Sequence, residues 1–200
     1  MDHRLLVITA IPGCPRPLIE QIALALRGGP FALVLRDKHL RWDERAALAE
    51  ALQPAVDAAG GLLIIADPAA PVAAAHLSRA FPVPRPRPAL VGRSVHAGEP
   101  IDPGLDYCTY SPVWATDSKP GYGPPIGTDA LREACAASPV PVYALGGVTG
   151  PDRALAAREA GAAGVAVMGA VMRAADPERA VRSLRAALGL PGQAVVGDDL

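Results

Sequence analysis

"VPVYALGGVTGPDRALAAREAGAAGVAVMG", residues 140–169, holds one complete strand–helix–strand unit. Its outer runs, "VPVYALG" (140–146) and "GVAVMG" (164–169), are short and apolar on both faces, the pattern of parallel strands covered by helices. Between them "PDRALAAREAGA" starts on Pro151, which suits a first helical turn, and ends at Gly161, a stop signal. A strand, a helix and a second strand in this order imply a parallel sheet.

The same alternation extends in both directions. Short β-rich runs occur at "RLLVIT" (4–9), "FALVLR" (31–36), "GLLIIA" (61–66), "ALVGRSV" (89–95) and "DYCTYS" (106–111), with the weaker "AAHLS" (74–78) as the eighth candidate. Ala/Leu-rich stretches lie between most of them. The final helix is capped by Asp176, opens on Pro177, carries Val181, Leu184 and Leu188 at helical steps and stops at Gly189. The stretch "WDERAALAEALQPAVDAAGG" has Asp43 as its cap, and Pro54 is expected to kink or divide that helix. The run "FPVPRPRP" (81–88) is incompatible with helix. The fold class read from this pattern is α/β, a compact (β/α)₈ TIM barrel with a proline-rich extended segment replacing one crossover helix. An open doubly wound sheet is the alternative. One domain is expected over 1–189, with a flexible tail over 190–200.

Composition narrows the function. The chain has 200 residues, half of them hydrophobic, enough for one sizeable core. Nineteen Lys and Arg against twenty Asp and Glu give a net charge of −1, and the arginines are dispersed, so nucleic-acid binding is not expected. Cys14, Cys108 and Cys135 share no metal-ligand spacing, and their odd number fits a reducing cytoplasm. No apolar run approaches the roughly 20 residues of a membrane span. A homodimer is compatible with the sequence but is not encoded visibly in it.

In a parallel barrel the active face is built from the loops after the strands. Arg36, Asp37 and Lys38 follow the second strand, Asp67 the third, Ser94 and His96 the fifth, and Thr116, Ser118 and Lys119 the sixth. Gly146 and Gly147 follow the seventh strand and Gly169 the eighth. Paired glycine turns there let backbone N–H groups approach an anion, which points to a phosphate-bearing ligand. Arg36 and Lys38 offer a second anion clamp. Asp67 is a single carboxylate, short of a magnesium site on its own. His96 is a general acid/base candidate, His76 either that or a packed strand residue, and His39 a loop residue. Cys108 reads as core. Trp114 either roofs a ring or fills the barrel mouth.

Taken in order, "LVIT", "VLRDK", "IIAD", "HLS", "GRSVH", "DYCTYSPVWATDSKPGYGPPIG", "PVYALGGV" and "AGAAGVAVMGAV" resemble the thiamine-phosphate synthase/TenI family over residues 4–188. The resemblance implies a (β/α)₈ barrel that binds a thiazole phosphate. It places Thr116, Ser118 and Lys119 on the ligand's phosphates, and its phosphate-cradling backbone falls on Gly146, Gly147, Met168 and Gly169. Ser94 is a further substrate-binding candidate. Several positions depart from the synthase pattern: Val34 stands for a Gln, Ala66 for the Asn of an Asn-Asp pair, and "HLSRAFPVPRPRP" has no counterpart to a second metal-binding Asp. The TenI-type catalytic His falls on Pro112.

The leading expectation is therefore a TenI-like thiazole tautomerase that aromatises a thiazole carboxylate phosphate by proton transfer. It needs no cofactor; His96 would be its base, with His76 behind it, and Arg36 or Lys38 would hold the carboxylate. The alternative is a thiamine-phosphate synthase joining hydroxymethylpyrimidine pyrophosphate to thiazole phosphate, with Mg²⁺ at Asp67. A third reading is a non-catalytic binder of thiazole or thiamine phosphate.

Overall fold

The computed structural model describes residues 3–116 and 124–191. Eight parallel strands close into a barrel in sequence order: β1 (Leu5–Ile8), β2 (Ala32–Leu35), β3 (Leu62–Ala66), β4 (Ala74–Leu77), β5 (Leu90–His96), β6 (Tyr107–Ser111), β7 (Val142–Leu145) and β8 (Gly164–Val167). The seam is β1 against β8, in register Leu5↔Val165, Leu6↔Ala166 and Val7↔Val167. A closed ring excludes the open sheet. The weak fourth strand is real: Ala75 pairs with Val91 and His76 with Gly92.

Alternation along each strand divides the apolar residues into two cores. Leu6, Ile8, Ala32, Val34, Ile64, Ala66, Ala74, Tyr107, Tyr143 and Ala166 fill the barrel interior. Leu5, Val7, Leu33, Leu35, Cys108, Tyr110 and Val165 point outward into the helical layer. The small residues inside make room for two tyrosines. The Tyr107 ring meets Tyr143 edge-on at 5.5 Å, and the Tyr143 hydroxyl donates to the His3 carbonyl at 2.8 Å. These rings plug the floor of the barrel. Cys108 is fully buried, and burial pushes its thiol up to about 12, so it is core as expected.

The outer layer is uneven. Helix α1 (Leu18–Leu26) follows β1, α2 (Trp42–Ala58) follows β2, α3 (Gly127–Ala137) follows β6, α4 (Pro151–Glu159) follows β7, and α5 (Gly169–Met172) with α6 (Pro177–Ala187) follow β8. Residues 78–89 carry no helix, as the prolines require; they turn at 79–80, where the Phe81 N–H donates to the Ser78 carbonyl, and bend at 85–86. The connections over 67–73 and 97–106 carry no helix either, so the barrel lacks helical cover after β3, β4 and β5. Ala75, Leu77, Val91 and Leu105 are covered there by Val72 and by Phe81 from the proline-rich segment.

Two expectations about helices need correction. Helix α2 runs through Pro54 without dividing. Leu52 and Val56 on either side of Pro54 are buried, and their packing holds the turn; Glu50, whose carbonyl loses its partner, lies on the exposed face. Asp43 is not the cap of α2. It lies in the first turn, and Glu44 accepts instead from the Arg41 backbone N–H at 2.8 Å. In α6 the expected cap is present, with Asp176 accepting from the Arg179 N–H at 2.9 Å. No helix among the described residues is long and apolar enough to cross a membrane.

Candidate active site

The strand ends open into a cavity of about 420 Å³. Arg36, Lys38, His76, Ser94, His96, Thr116, Gly146, Gly147, Met168 and Gly169, all chosen from the sequence, line it. Ser118 and Lys119 lie outside the described residues. Trp114 is not on the cavity wall; Arg153 lies over its ring at 5.6 Å and donates to the Gly147 carbonyl.

One rim is built on β7 and β8. Gly147 has φ +69, and a Cβ there would sit 2.5 Å from the Ala115 carbonyl oxygen. Only glycine allows this turn to press against the end of β6 and leave its backbone N–H groups close to a ligand. Gly169 has a different neighbour: a Cβ there would lie 2.2 Å from Nη2 of Arg173. The absent side chain makes space for a guanidinium over the glycine turn, and Arg173 also lines the cavity. Sequence reading missed Arg173. Its signal is the spacing of four residues, which on a helical turn returns the side chain over Gly169.

The opposite rim rises from β2, β3 and β4. Lys38 pairs with Oδ2 of Asp67, and Oδ1 of Asp67 accepts from the Ser78 N–H at 2.7 Å. Asp67 itself does not line the cavity. Burial pushes its carboxyl up, but hydrogen bonds from Lys38 and Ser78 and the lysine charge outweigh that and hold it below its usual range. Its φ of +40 is unusual for a residue with a side chain. Arg45, buried in α2, holds that backbone by donating to the carbonyls of Ala66 at 2.7 Å and Asp67 at 3.2 Å. Arg36 is half-buried, its N–H donating to Thr9 Oγ1 at 2.8 Å. Asp37 is buried and does not line the cavity; its Oδ1 accepts from the Ile11 N–H at 2.7 Å, and its Oδ2 has no hydrogen-bond partner.

The two histidines differ. His76 is 6% exposed, stacked on Tyr107. Its Nδ1 lies 3.0 Å from the Tyr107 hydroxyl and its Nε2 3.0 Å from Ser94 Oγ. Both ring nitrogens are therefore engaged. His96 stands at the rim with Glu99 Oε2 3.4 Å from its Nδ1, and Glu99 Oε1 binds Arg79 Nε at 2.7 Å. Arg79 lines the cavity too. In the sequence it was only one of a dispersed group of arginines.

Burial lowers His76 from 6.5 to about 4, so it is neutral at pH 7. The unfolded chain protonates first as pH falls, so stability drops between pH 6.5 and 4. The separation is worth roughly 3 kcal/mol. Urea midpoints from pH 7 to pH 4 are expected to fall more steeply for the wild type than for His76→Gln. Parallel curves would place the histidine's charge elsewhere.

A model of the family described as thiamine monophosphate synthase matches residues 5–171. The chain belongs to this family. A thiamine-phosphate synthase of Roseiflexus castenholzii is 39% identical over 184 residues, covering 84% of this chain and 80% of that protein. One of Moorella thermoacetica is 34% identical over 194 residues, covering 90% and 92%. The solved thiamine phosphate pyrophosphorylase from Pyrococcus furiosus superposes with a TM-score of 0.78 at 25% identity, covering 94% of this chain and 96% of that one.

Two departures from the synthase pattern, Val34 and Ala66, and the one from the TenI-type pattern, Pro112, reach the cavity, and none of the three carries a polar side chain. The metal implied by the synthase alternative also meets an unsuitable donor set. Among the described residues no three His, Cys, Asp or Glu side chains gather. Asp67, the one candidate ligand, has each oxygen engaged by protein. These residues do not fit a magnesium site.

Proposed function

We propose that the protein joins hydroxymethylpyrimidine diphosphate to a thiazole phosphate, the reaction of a thiamine-phosphate synthase. The observation that carries this reading is the placing of anion-binding groups on two opposed rims of one cavity. Arg36, Lys38 and Arg79 stand over β2–β4, and the Gly146–Gly147 and Met168–Gly169 turns with Arg173 stand over β7 and β8. In a ring of eight, β3 faces β7 and β4 faces β8. Two phosphorylated substrates can thus be anchored by their far ends, with their rings meeting at the centre. The names of the relatives support this synthase reading over the tautomerase expected first from the sequence.

The chemistry needs little else. The lone pair of the thiazole nitrogen forms a C–N bond to the pyrimidine's exocyclic methylene. The C–O bond breaks, its electron pair leaves with pyrophosphate, and the thiazole nitrogen becomes cationic. No proton moves, so no general base is needed. Charge grows on the departing diphosphate, where Arg36, Lys38 and Arg79 stand ready to meet it.

One observation favours the isomerase as a second reading: His96, oriented by Glu99, faces the cavity. Incubations analysed by chromatography separate the two. Thiamine phosphate is expected only when both phosphorylated substrates are present, and the thiazole carboxylate phosphate tautomer alone is expected to stay unchanged. Aromatisation of that tautomer would move the assignment to the isomerase.

A further inference from the structure

We propose that this protein binds the diphosphate through arginine and lysine side chains without a divalent metal ion. The proposal rests on the transferase reading for its substrate, but its evidence is the charge on the cavity wall. Among the described residues that line the cavity there are four cations, Arg36, Lys38, Arg79 and Arg173, and no carboxylate. Asp67 and Glu99, which stand behind the β2–β5 rim, are each paired with protein groups on both oxygens, and Asp37, whose Oδ2 has no hydrogen-bond partner, is buried and does not line the cavity. Asp67 holds Lys38 and the Ser78 N–H. Glu99 holds Arg79 with one oxygen and the His96 N–H, at 3.0 Å, and ring with the other.

A magnesium ion would have to break one of these pairs while standing beside three positive side chains. Magnesium keeps most of its water and takes one or two carboxylates together with phosphate oxygens. Here the carboxylates serve as counter-ions behind the wall, and the cationic residues line the cavity. A guanidinium fork matches two phosphate oxygens at once and carries its charge at any working pH.

Arg79 is the residue best placed to do this. It lies where the segment after β4 has no acid: "SRAFPV" offers an arginine and a phenylalanine instead. Arg93 fixes the backbone of that segment, donating to the carbonyls of Ser78 at 2.9 Å, Arg79 at 2.8 Å and Phe81 at 2.9 Å. The Arg79 side chain is 74% exposed and pairs with Glu99. Exposed ion pairs of this kind are weak, so a diphosphate carrying two or more charges displaces Glu99 readily. An anchored backbone with an exposed, weakly paired guanidinium suits an arriving and departing anion.

The test is calorimetric titration of inorganic pyrophosphate into the full chain, once with EDTA and once with excess Mg²⁺. Binding is expected in EDTA, with an affinity within roughly threefold of that in Mg²⁺. Arg79→Ala is expected to weaken binding in EDTA by about 10- to 100-fold, the range of a charge-assisted contact. Arg79→Lys keeps the charge and is expected to lose less than about tenfold. Circular dichroism controls for folding at this exposed position. Binding that appears only with Mg²⁺, no binding in either buffer, or an unchanged Arg79→Ala affinity would each overturn the proposal. Metal-free pyrophosphate binding in a protein that never joins the two substrates would defeat the transferase reading and leave this site standing.

Discussion

Lys38→Met is expected to lower turnover about 10²- to 10³-fold, the usual cost of removing one charge-stabilising group from a transition state. The expected loss is larger than that of a lone surface lysine because of what remains. Asp67 keeps its carboxylate, still held by the Ser78 N–H, but loses its ammonium partner. A bare negative charge then stands just behind the wall that the leaving pyrophosphate meets. The double variant Lys38→Met/Asp67→Asn removes that charge and is expected to recover part of the loss, a non-additivity typical of contacting residues. Steady-state kinetics on the four proteins of this cycle measures the coupling. Strictly additive effects would separate Lys38 from Asp67 in function.

The largest effect on folding is expected at Gly164. It opens β8 at the seam where the barrel closes, and Val165 beside it donates to the Arg4 carbonyl at 2.9 Å. A Cβ on residue 164 would lie 2.0 Å from the Arg4 carbonyl oxygen and 2.7 Å from the Tyr143 ring. The first contact is backbone, so no rotamer relieves it. Gly164→Ala is expected to cost about 3 kcal/mol or more, at the upper end of overpacking. Gly150→Ala makes the control, since nothing lies within 4 Å of a Cβ there. Urea unfolding of the two variants gives the comparison. A Gly164→Ala midpoint equal to that of Gly150→Ala would mean that the seam opens at little cost.

The barrel was legible because its strands advertise burial on both faces, and because Pro151, Gly161, Asp176, Pro177 and Gly189 mark the bounds of α4 and α6. Eight of the cavity residues were found by one rule, that chemistry follows strand ends, and Met168 was added by the family resemblance. The rule has a blind spot. Arg79 and Arg173 do not directly follow a strand's last apolar residue; they reach the cavity because a loop or a short helix turns them back over it. Asp67 shows the reverse. Its position after β3 is right for a ligand, yet Lys38 covers it, and pairing of that kind depends on side chains from different strands. Pro54 does not divide α2, because the burial of Leu52 and Val56 on either side of it outweighs the lost hydrogen bond. The connections over 67–73 and 97–106 hold two prolines each against four in the 81–88 run, so their lack of helix was not separable from ordinary loops.

The central claim is a coupling reaction between two phosphorylated substrates, and its co-products test it most directly. Purified protein is incubated with hydroxymethylpyrimidine diphosphate and thiazole phosphate, and thiamine phosphate and pyrophosphate are quantified together. The expected result is that both appear at equal rates and that neither forms when either substrate is left out. Pyrophosphate release without thiamine phosphate, or no release while both substrates bind, would contradict it.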